Sequence, residues 1–225
     1  MQYDQPINTA ETYEGLNFAD HALNRVRRVT GKATSPGMSC RDIKERNPDF
    51  PSGEYWIDPN ERSAVDAILV YCRMETMETC IFPSPSTFDR QRWTKTEGSG
   101  QFFMEEMVGD REFFYKTDFS QLKFLQMLSE GARQRVTYHC FNSHARGSRL
   151  MLHTGEELDT ELYKYKKSTR IATSDECAHD NQWHSAVFDI RTNKTDILPI
   201  TDIRLFDVGR QNQQFGIELG EVCFG

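Results

Sequence analysis

The sequence predicts an α+β fold: a helical stalk, a cation-binding linker region and a mainly antiparallel sheet domain. Three observations lead there. Apolar residues near the N-terminus recur at heptad spacing. Oxygen-bearing side chains gather at Asp58, Asn60 and Asp66. Beyond residue 100, short apolar runs alternate with turns, broken by one helix.

At 225 residues the chain suits one large domain or two small ones. Hydrophobic residues make up 37%, so several small clusters with extra bracing are expected rather than one thick core. Six cysteines are candidates for that bracing. No C-x-x-C pair exists, which argues against a zinc ribbon or a thioredoxin-like site, and the even count fits disulfides in an oxidising compartment. Spacing alone leaves many pairings open. The net charge of −7 is spread over interspersed acids and bases, so no electrostatic footprint for nucleic acid is present. No apolar run is long enough to span a membrane. Met1-Gln2-Tyr3-Asp4 leads into polar sequence without a signal-peptide pattern, so secretion would require a longer precursor.

Residues 8–28 read as a helix, N-capped by Thr9 and ending in Arg25, Arg27 and Arg28, which suit the negative end of the helix dipole. Thr12, Leu16, Ala19, Leu23 and Val26 form a seam with heptad spacing. The seam is short and Gly15 weakens it, so a coiled coil here needs help from elsewhere. Gly31 and Pro36 end the helix, and 30–39 reads as a linker.

Between Cys40 and Cys80, Asp58, Asn60 and Asp66 take positions 1, 3 and 9 of a short loop. Ca²⁺ binds six to eight oxygens from carboxylates, amides and carbonyls, and the carbonyls of Glu61 and Ser63 are further candidates. Pro59 fixes φ between the first two ligands. The loop lacks the glycine and glutamate of an EF-hand. A helix is expected over 61–69 and a strand over 68–73. Residues 81–100 are turn-rich. Strands are expected at Gln101–Met107, Glu112–Tyr115, Val136–Asn142, Arg149–Leu152, Ser185–Ile190 and Ile200–Phe206, and a helix at Phe119–Ser129 with Phe119, Leu122, Leu125 and Leu128 on one face.

Catalysis is not expected. The histidines flanking Cys140 and Ser143 are neighbours in sequence only, and no G-x-S-x-G, H-E-x-x-H or glycine-rich phosphate loop occurs. Trp56, Trp93 and Trp183 read as core anchors rather than ligand platforms.

Several segments together resemble the C-propeptide of fibrillar procollagens. They are Cys40-Arg41-Asp42-Ile43-Lys44, Gly53-Glu54-Tyr55-Trp56-Ile57-Asp58-Pro59-Asn60, Cys72-Arg73-Met74-Glu75-Thr76, Thr137-Tyr138-His139-Cys140, Leu198-Pro199-Ile200 and the ending Phe215 to Phe224. The resemblance implies a coiled-coil stalk with linker (1–39), a calcium-binding base (40–80) and a petal of fibrinogen-like type (81–225). It implies one structural Ca²⁺ per chain, held by Asp58, Asn60 and Asp66 through side chains and by Glu61 and Ser63 through carbonyls. It implies disulfides Cys40–Cys72, Cys80–Cys223 and Cys140–Cys177. By the same resemblance the chain is not an enzyme but an extracellular-matrix module that trimerises procollagen chains, registers the collagen helix in the ER lumen, and is secreted and cut off by a tolloid-like procollagen C-proteinase. The implied partners are itself, as a homotrimer, or related procollagen chains, with no nucleic acid and no membrane insertion.

Two departures stand out. Where family members with interchain disulfides carry two more cysteines, this sequence has Arg46 and Ser63, so the expected trimer is non-covalent. Arg135 replaces the asparagine of the family's glycosylation site, while Asn193-Lys194-Thr195 forms a different sequon. The stretch Asp110–Gln121 lies near the family's chain-selection region. The alternative from another class is a fibrinogen-like ligand-binding or lectin head on a coiled-coil stem.

Overall fold

The computed structural model describes residues 29–92, 103, 113–161 and 168–225. The expected stalk helix and its seam lie outside the described residues, as do Trp93 and, apart from Phe103, the expected strand Gln101–Met107. In chain order the first described elements are α1 (Cys40–Arg46), β1 (Gly53–Ile57), a single 3₁₀ turn (Ala64–Asp66), β2 (Ile68–Arg73) and β3 (Glu78–Ile81). Next come β4 (Pro83–Ser84), β5 (Thr87–Gln91), β6 (Phe114–Tyr115) and α2 (Phe119–Leu128). The remainder is β7 (Ala132–Phe141), β8 (Arg149–Leu152), β9 (Glu157–Asp159), β10 (Thr169–Asp175), β11 (Trp183–Thr192), a 3₁₀ turn (Thr195–Ile197), β12 (Ile200–Arg204), β13 (Gln214–Leu219) and β14 (Val222–Phe224). The described residues are thus mostly antiparallel sheet with few helices.

The sheet is built around β7. Successive residues of a strand point to opposite faces, and Ala132, Gln134, Val136, Tyr138 and Cys140 are the buried set. One edge of β7 pairs with β11 along its whole length, from Trp183↔Phe141 to Thr192↔Ala132, and β11 pairs with β10. The other edge is shared by β13 and β14. From β14 the sheet continues through β3 and β2 to β1, so strands on both sides of residue 80 belong to one nine-stranded sheet. β12, β8 and β9 form a second, three-stranded sheet. An aromatic cluster fills the core near β5 and β13, where the Phe103 ring lies 4.8 Å from Phe88 and 5.5 Å from Phe215.

Gln134 faces inward yet is fully satisfied. Its Nε2 donates to Tyr115 Oη (2.6 Å) and Gly220 O (3.2 Å), and its Oε1 accepts from Ile200 N (2.8 Å). One buried amide thereby ties β7 to β6, to β12 and to the turn before β14. Burial pushes the Tyr115 hydroxyl pKa far up, and that hydroxyl donates to Ile200 O.

The structure corrects several expectations. Over 61–69 it forms only the single 3₁₀ turn, after which β2 begins at Ile68 and pairs with β1. The segment 30–39 is no loose linker. Trp56 N donates to Gly31 O, Gly37 N to Trp56 O and Asp58 N to Gly37 O, stitching it to the edge of β1. Gly31 has φ +69°, and a Cβ there would stand 2.5 Å from the Tyr55 ring, so a side chain is excluded on both counts. On α2, Leu122 and Leu125 are buried, but Phe119 is 68% exposed and Leu128 47%, so the apolar face is narrower than expected. Trp56 and Trp183 are half-buried; Trp183 lies 5.5 Å from the Phe141 ring with the Arg90 guanidinium above it.

Candidate cation site and the family of the chain

The loop from Asp58 to Asp66 leaves β1 and returns as β2, so the pairing of these two strands fixes both ends. Asp58 is 1% exposed, and its backbone N–H is held by Gly37 O at 2.7 Å. Pro59 is buried beside it, and from Glu61 to Asp66 the loop is exposed. Glu61 is in the left-handed region at φ +53°, a strained conformation for a residue with a side chain. Ser63 Oγ accepts from Val65 N at 3.2 Å and caps the 3₁₀ turn.

The structure brings the side chains of Asn60 and Asp66 together, with Asn60 Nδ2 2.9 Å from Asp66 Oδ2, while Asn60 Oδ1 accepts from Arg62 N. Asp58 is joined to Asp66 by a residue that the ligand set does not contain. Gln121, fully buried near the start of α2, donates from Nε2 to both Asp58 Oδ1 and Asp66 O, each at 3.1 Å. Its Oε1 accepts from Asn60 N at 3.2 Å. Asp118 caps α2 by accepting from Ser120 N and Gln121 N, which sets where the glutamine starts. No local pattern could reveal this clamp, because Gln121 follows Asp58 by 63 residues.

The donor set suits a hard cation. An acidic oxygen of Asp58 and the main-chain oxygen of Asp66 already converge on one amide N–H group, and a second carboxylate stands next to an amide. For Asn60 to offer oxygen where it now offers nitrogen, its amide needs half a turn. Of the two residues that stand where cysteines were looked for, Arg46 pairs with Asp42 at 2.7 Å, and that hydrogen bond raises its pKa. Ser63 is the capping residue described above.

The sequence's other reactive side chains are engaged elsewhere. Cys40 is bonded to Cys72, Cys80 to Cys223 and Cys140 to Cys177, so no thiolate is present. The Ser143 hydroxyl bonds Tyr138 at 2.7 Å rather than the neighbouring His144 ring, which faces Cys177 O. His139 faces Glu218 at 3.0 Å, and His184 faces Asp180 at 2.8 Å, where its hydrogen bond lowers the Asp180 pKa. Among the described residues no helix is long and apolar enough to cross a membrane.

Fold and site together define a disulfide-braced, mainly antiparallel domain carrying an oxygen-lined loop. A model of the fibrillar collagen C-terminal domain matches residues 8–224. The collagen alpha-1(I) chain of Gallus gallus is 37% identical over 241 residues, which cover 98% of this chain and 16% of the relative. The collagen alpha-1(II) chain of Xenopus tropicalis is 35% identical over 237 residues, 97% of this chain and 16% of the relative. That of Gallus gallus is 34% identical over 242 residues, 99% and 28%. The chain belongs to the fibrillar collagen C-terminal domain family, and it spans between 16% and 28% of the length of these relatives.

Proposed function

We propose that this chain is a procollagen C-propeptide: a non-enzymatic module that trimerises procollagen chains, here without covalent links, and so nucleates and registers the collagen triple helix. The observation that carries this reading is the family match from residue 8 to residue 224, which takes in the heptad seam, the oxygen-lined loop and the closing strand as one unit. Three collagen strands find register slowly from free chains. Joining their ends in a trimer raises their effective concentration, and the helix then zips away from the tether.

In this reading residues 1–39 are the coiled-coil stalk and linker, 40–80 the base and 81–225 the petal. Asp58, Asn60 and Asp66, with the carbonyls of Glu61 and Ser63, would hold one Ca²⁺. The ion supplies positive charge that neutralises the two carboxylates and orders the exposed half of the loop against a neighbouring chain. Gln121 keeps the loop near that arrangement beforehand. The Asp110–Gln121 stretch takes part in choosing partners, supported by Phe114 and Phe119, which are 59% and 68% exposed within it. Assembly takes place in the ER lumen, followed by secretion to the matrix and removal by a tolloid-like procollagen C-proteinase. Three disulfides suit that route.

Light scattering at micromolar protein, in calcium and then in EDTA, tests the reading. A trimer in calcium that falls to monomer in EDTA is the expected result. A trimer in both reduces calcium to local bracing. A monomer in both removes self-trimerisation and favours the ligand-binding head of fibrinogen-like type.

A further inference from the structure

Away from the loop, three side chains with transition-metal chemistry meet at one corner of the domain. His144 follows β7, His179 lies between β10 and β11, and Asp207 follows β12. One donor atom from each lies within 4.8 Å of the other two. The histidine rings are 4.5 Å apart, inclined at 59°. The other such grouping among the described residues, Glu78 with Cys80 and Cys223, has its sulfurs committed to a disulfide.

The hydrogen bonds around this corner set the donors up. His144 Nδ1 faces Cys177 O at 3.1 Å. A carbonyl only accepts, so Nδ1 carries the hydrogen, and in the neutral ring Nε2 keeps its lone pair. A metal-binding histidine is oriented in the same way, through its second nitrogen to a carbonyl or carboxylate. Asp207 Oδ1 is held by Gln213 Nε2 at 2.9 Å and approached by Arg210 Nη1 at 3.6 Å. Its Oδ2 is thereby aimed at the histidines, accepting from His144 N and lying against His179 Nε2, both at 2.8 Å.

The supports are anchored in turn. Gln213 is buried and also donates to Asn142 O, while Asn142 and Asn181 exchange two hydrogen bonds of 2.8 Å. The Cys140–Cys177 disulfide joins the two histidine-bearing segments just before His144 and His179. Three loops are thus fixed before any ion arrives.

We propose that His144, His179 and Asp207 form a surface site for a divalent transition ion of the zinc type. Two imidazoles and a carboxylate suit a borderline ion, whereas the all-oxygen loop suits a hard one. A tetrahedral ion with bonds of about 2.0–2.2 Å sets adjacent donors about 3.3–3.6 Å apart. His179 Nε2 and Asp207 Oδ2 therefore open slightly as the ion replaces the hydrogen between them, which passes to His179 Nδ1 in the neutral ring or to solvent from the charged one. The fourth position is left to water or to a donor from another molecule. A bound ion would add a further link to the hydrogen bonds and the disulfide that already join the three loops.

Zinc chloride titrated by calorimetry into the whole chain, with calcium saturating, tests this independently of trimer formation. About one zinc per chain is expected, with His144→Ala and His179→Ala each weakening affinity by about tenfold or more, as loss of a ligand demands. His184→Ala, whose ring pairs with Asp180 instead, should stay within about twofold of the unchanged chain. Thermal unfolding without zinc checks that each variant is folded, and Co²⁺ substitution should give visible d–d bands that His144→Ala removes. No zinc uptake by the unchanged chain, or equal uptake by the folded His144→Ala and His179→Ala variants, overturns the site.

Discussion

Two buried glutamines do the same chemistry in two different regions. Gln134, in the middle of the sheet, and Gln121, against the oxygen-lined loop, each donate two hydrogen bonds from Nε2 and accept one at Oε1. Gln134 joins groups that are themselves shut away from water, including Ile200 N and the Tyr115 hydroxyl. Gln121 is itself buried, but it joins the exposed first turn of α2 to a loop that becomes fully exposed by Glu61. The first arrangement fixes a core. The second leaves one end of a polar site held and the other end open to a ligand or a partner.

The two regions meet at β3 and β14, and the Cys80–Cys223 bond lies across that pairing. It closes a loop of 143 residues. By the chain-entropy model, removing it as Cys80→Ser with Cys223→Ser costs about 5 kcal/mol, the largest effect expected of any change considered. Denaturant unfolding measures it. Because the β3–β14 pairing and the Arg133–Glu78 hydrogen bonds still join the regions, one unfolding step is expected, and two steps would mean that the disulfide carries the coupling.

Next in size is Gln134→Leu. It strands the buried Ile200 N–H and Gly220 O, so a loss of about 3 kcal/mol is expected in the same experiment. Gln121→Leu breaks as many bonds, but Asn60 N and Asp66 O lie near water that can replace the amide, and only Asp58 Oδ1 loses a partner in a buried place. Its cost should be about 2 kcal/mol, with a weaker calcium response in thermal shift as the clearer sign if the loop binds the ion as proposed. Equal losses for the two variants would erase the distinction between the regions.

This contrast also explains what the sequence made legible. The strand at 149–152 appears as expected, because its alternation is unbroken. The central strand shows its alternation in the sequence only from Val136 onward, although it begins at Ala132. Gln134 and its arginine neighbours look like a polar boundary, and only partners far along the chain make the glutamine an inward residue. β5 carries little strand signal for a related reason: Asp89, Arg90 and Gln91 are exposed, and Phe88 alone anchors the strand to the core. At the loop, the run from Ala64 to Leu69 has helix-like composition, but pairing with β1 claims it as a strand from Ile68. Asp58, Asn60 and Asp66 stand close enough in sequence to be noticed as a set. Gln121, His179 and Asp207 join their sites from remote elements, and no spacing rule reaches that far.

A smaller effect should appear on acidification. Arg133 on β7 grips Glu78 on β3 through two hydrogen bonds of 2.6 and 2.8 Å, and this holds the Glu78 carboxyl below the usual range. Because the folded value is depressed, the stabilisation is fully present above the unfolded value of about 4.3 and is lost as pH falls through the folded one. The pair is partly exposed, so its contribution is about 1 kcal/mol or less. Thermal unfolding between neutral pH and pH about 3 should show a smaller decline for Glu78→Gln than for the unchanged chain.

The smallest expected change in folding stability carries the most information about the loop. Val65 sits in the 3₁₀ turn between Ser63 and Asp66 and is 94% exposed, an unusual place for a β-branched apolar side chain. Leu69, further along the same return strand, is 43% exposed. Val65→Asp removes almost no packing within the chain, so unfolding of the isolated chain should shift by about 0.5 kcal/mol or less. If the loop faces a neighbouring chain, the new charge must be desolvated beside Asp66 and beside that neighbour, and the assembled fraction in light scattering should drop sharply. A variant that assembles as well as the unchanged chain would mean that this half of the loop faces water in the assembly, leaving the held half, Asp58 with Gln121, as its structural part.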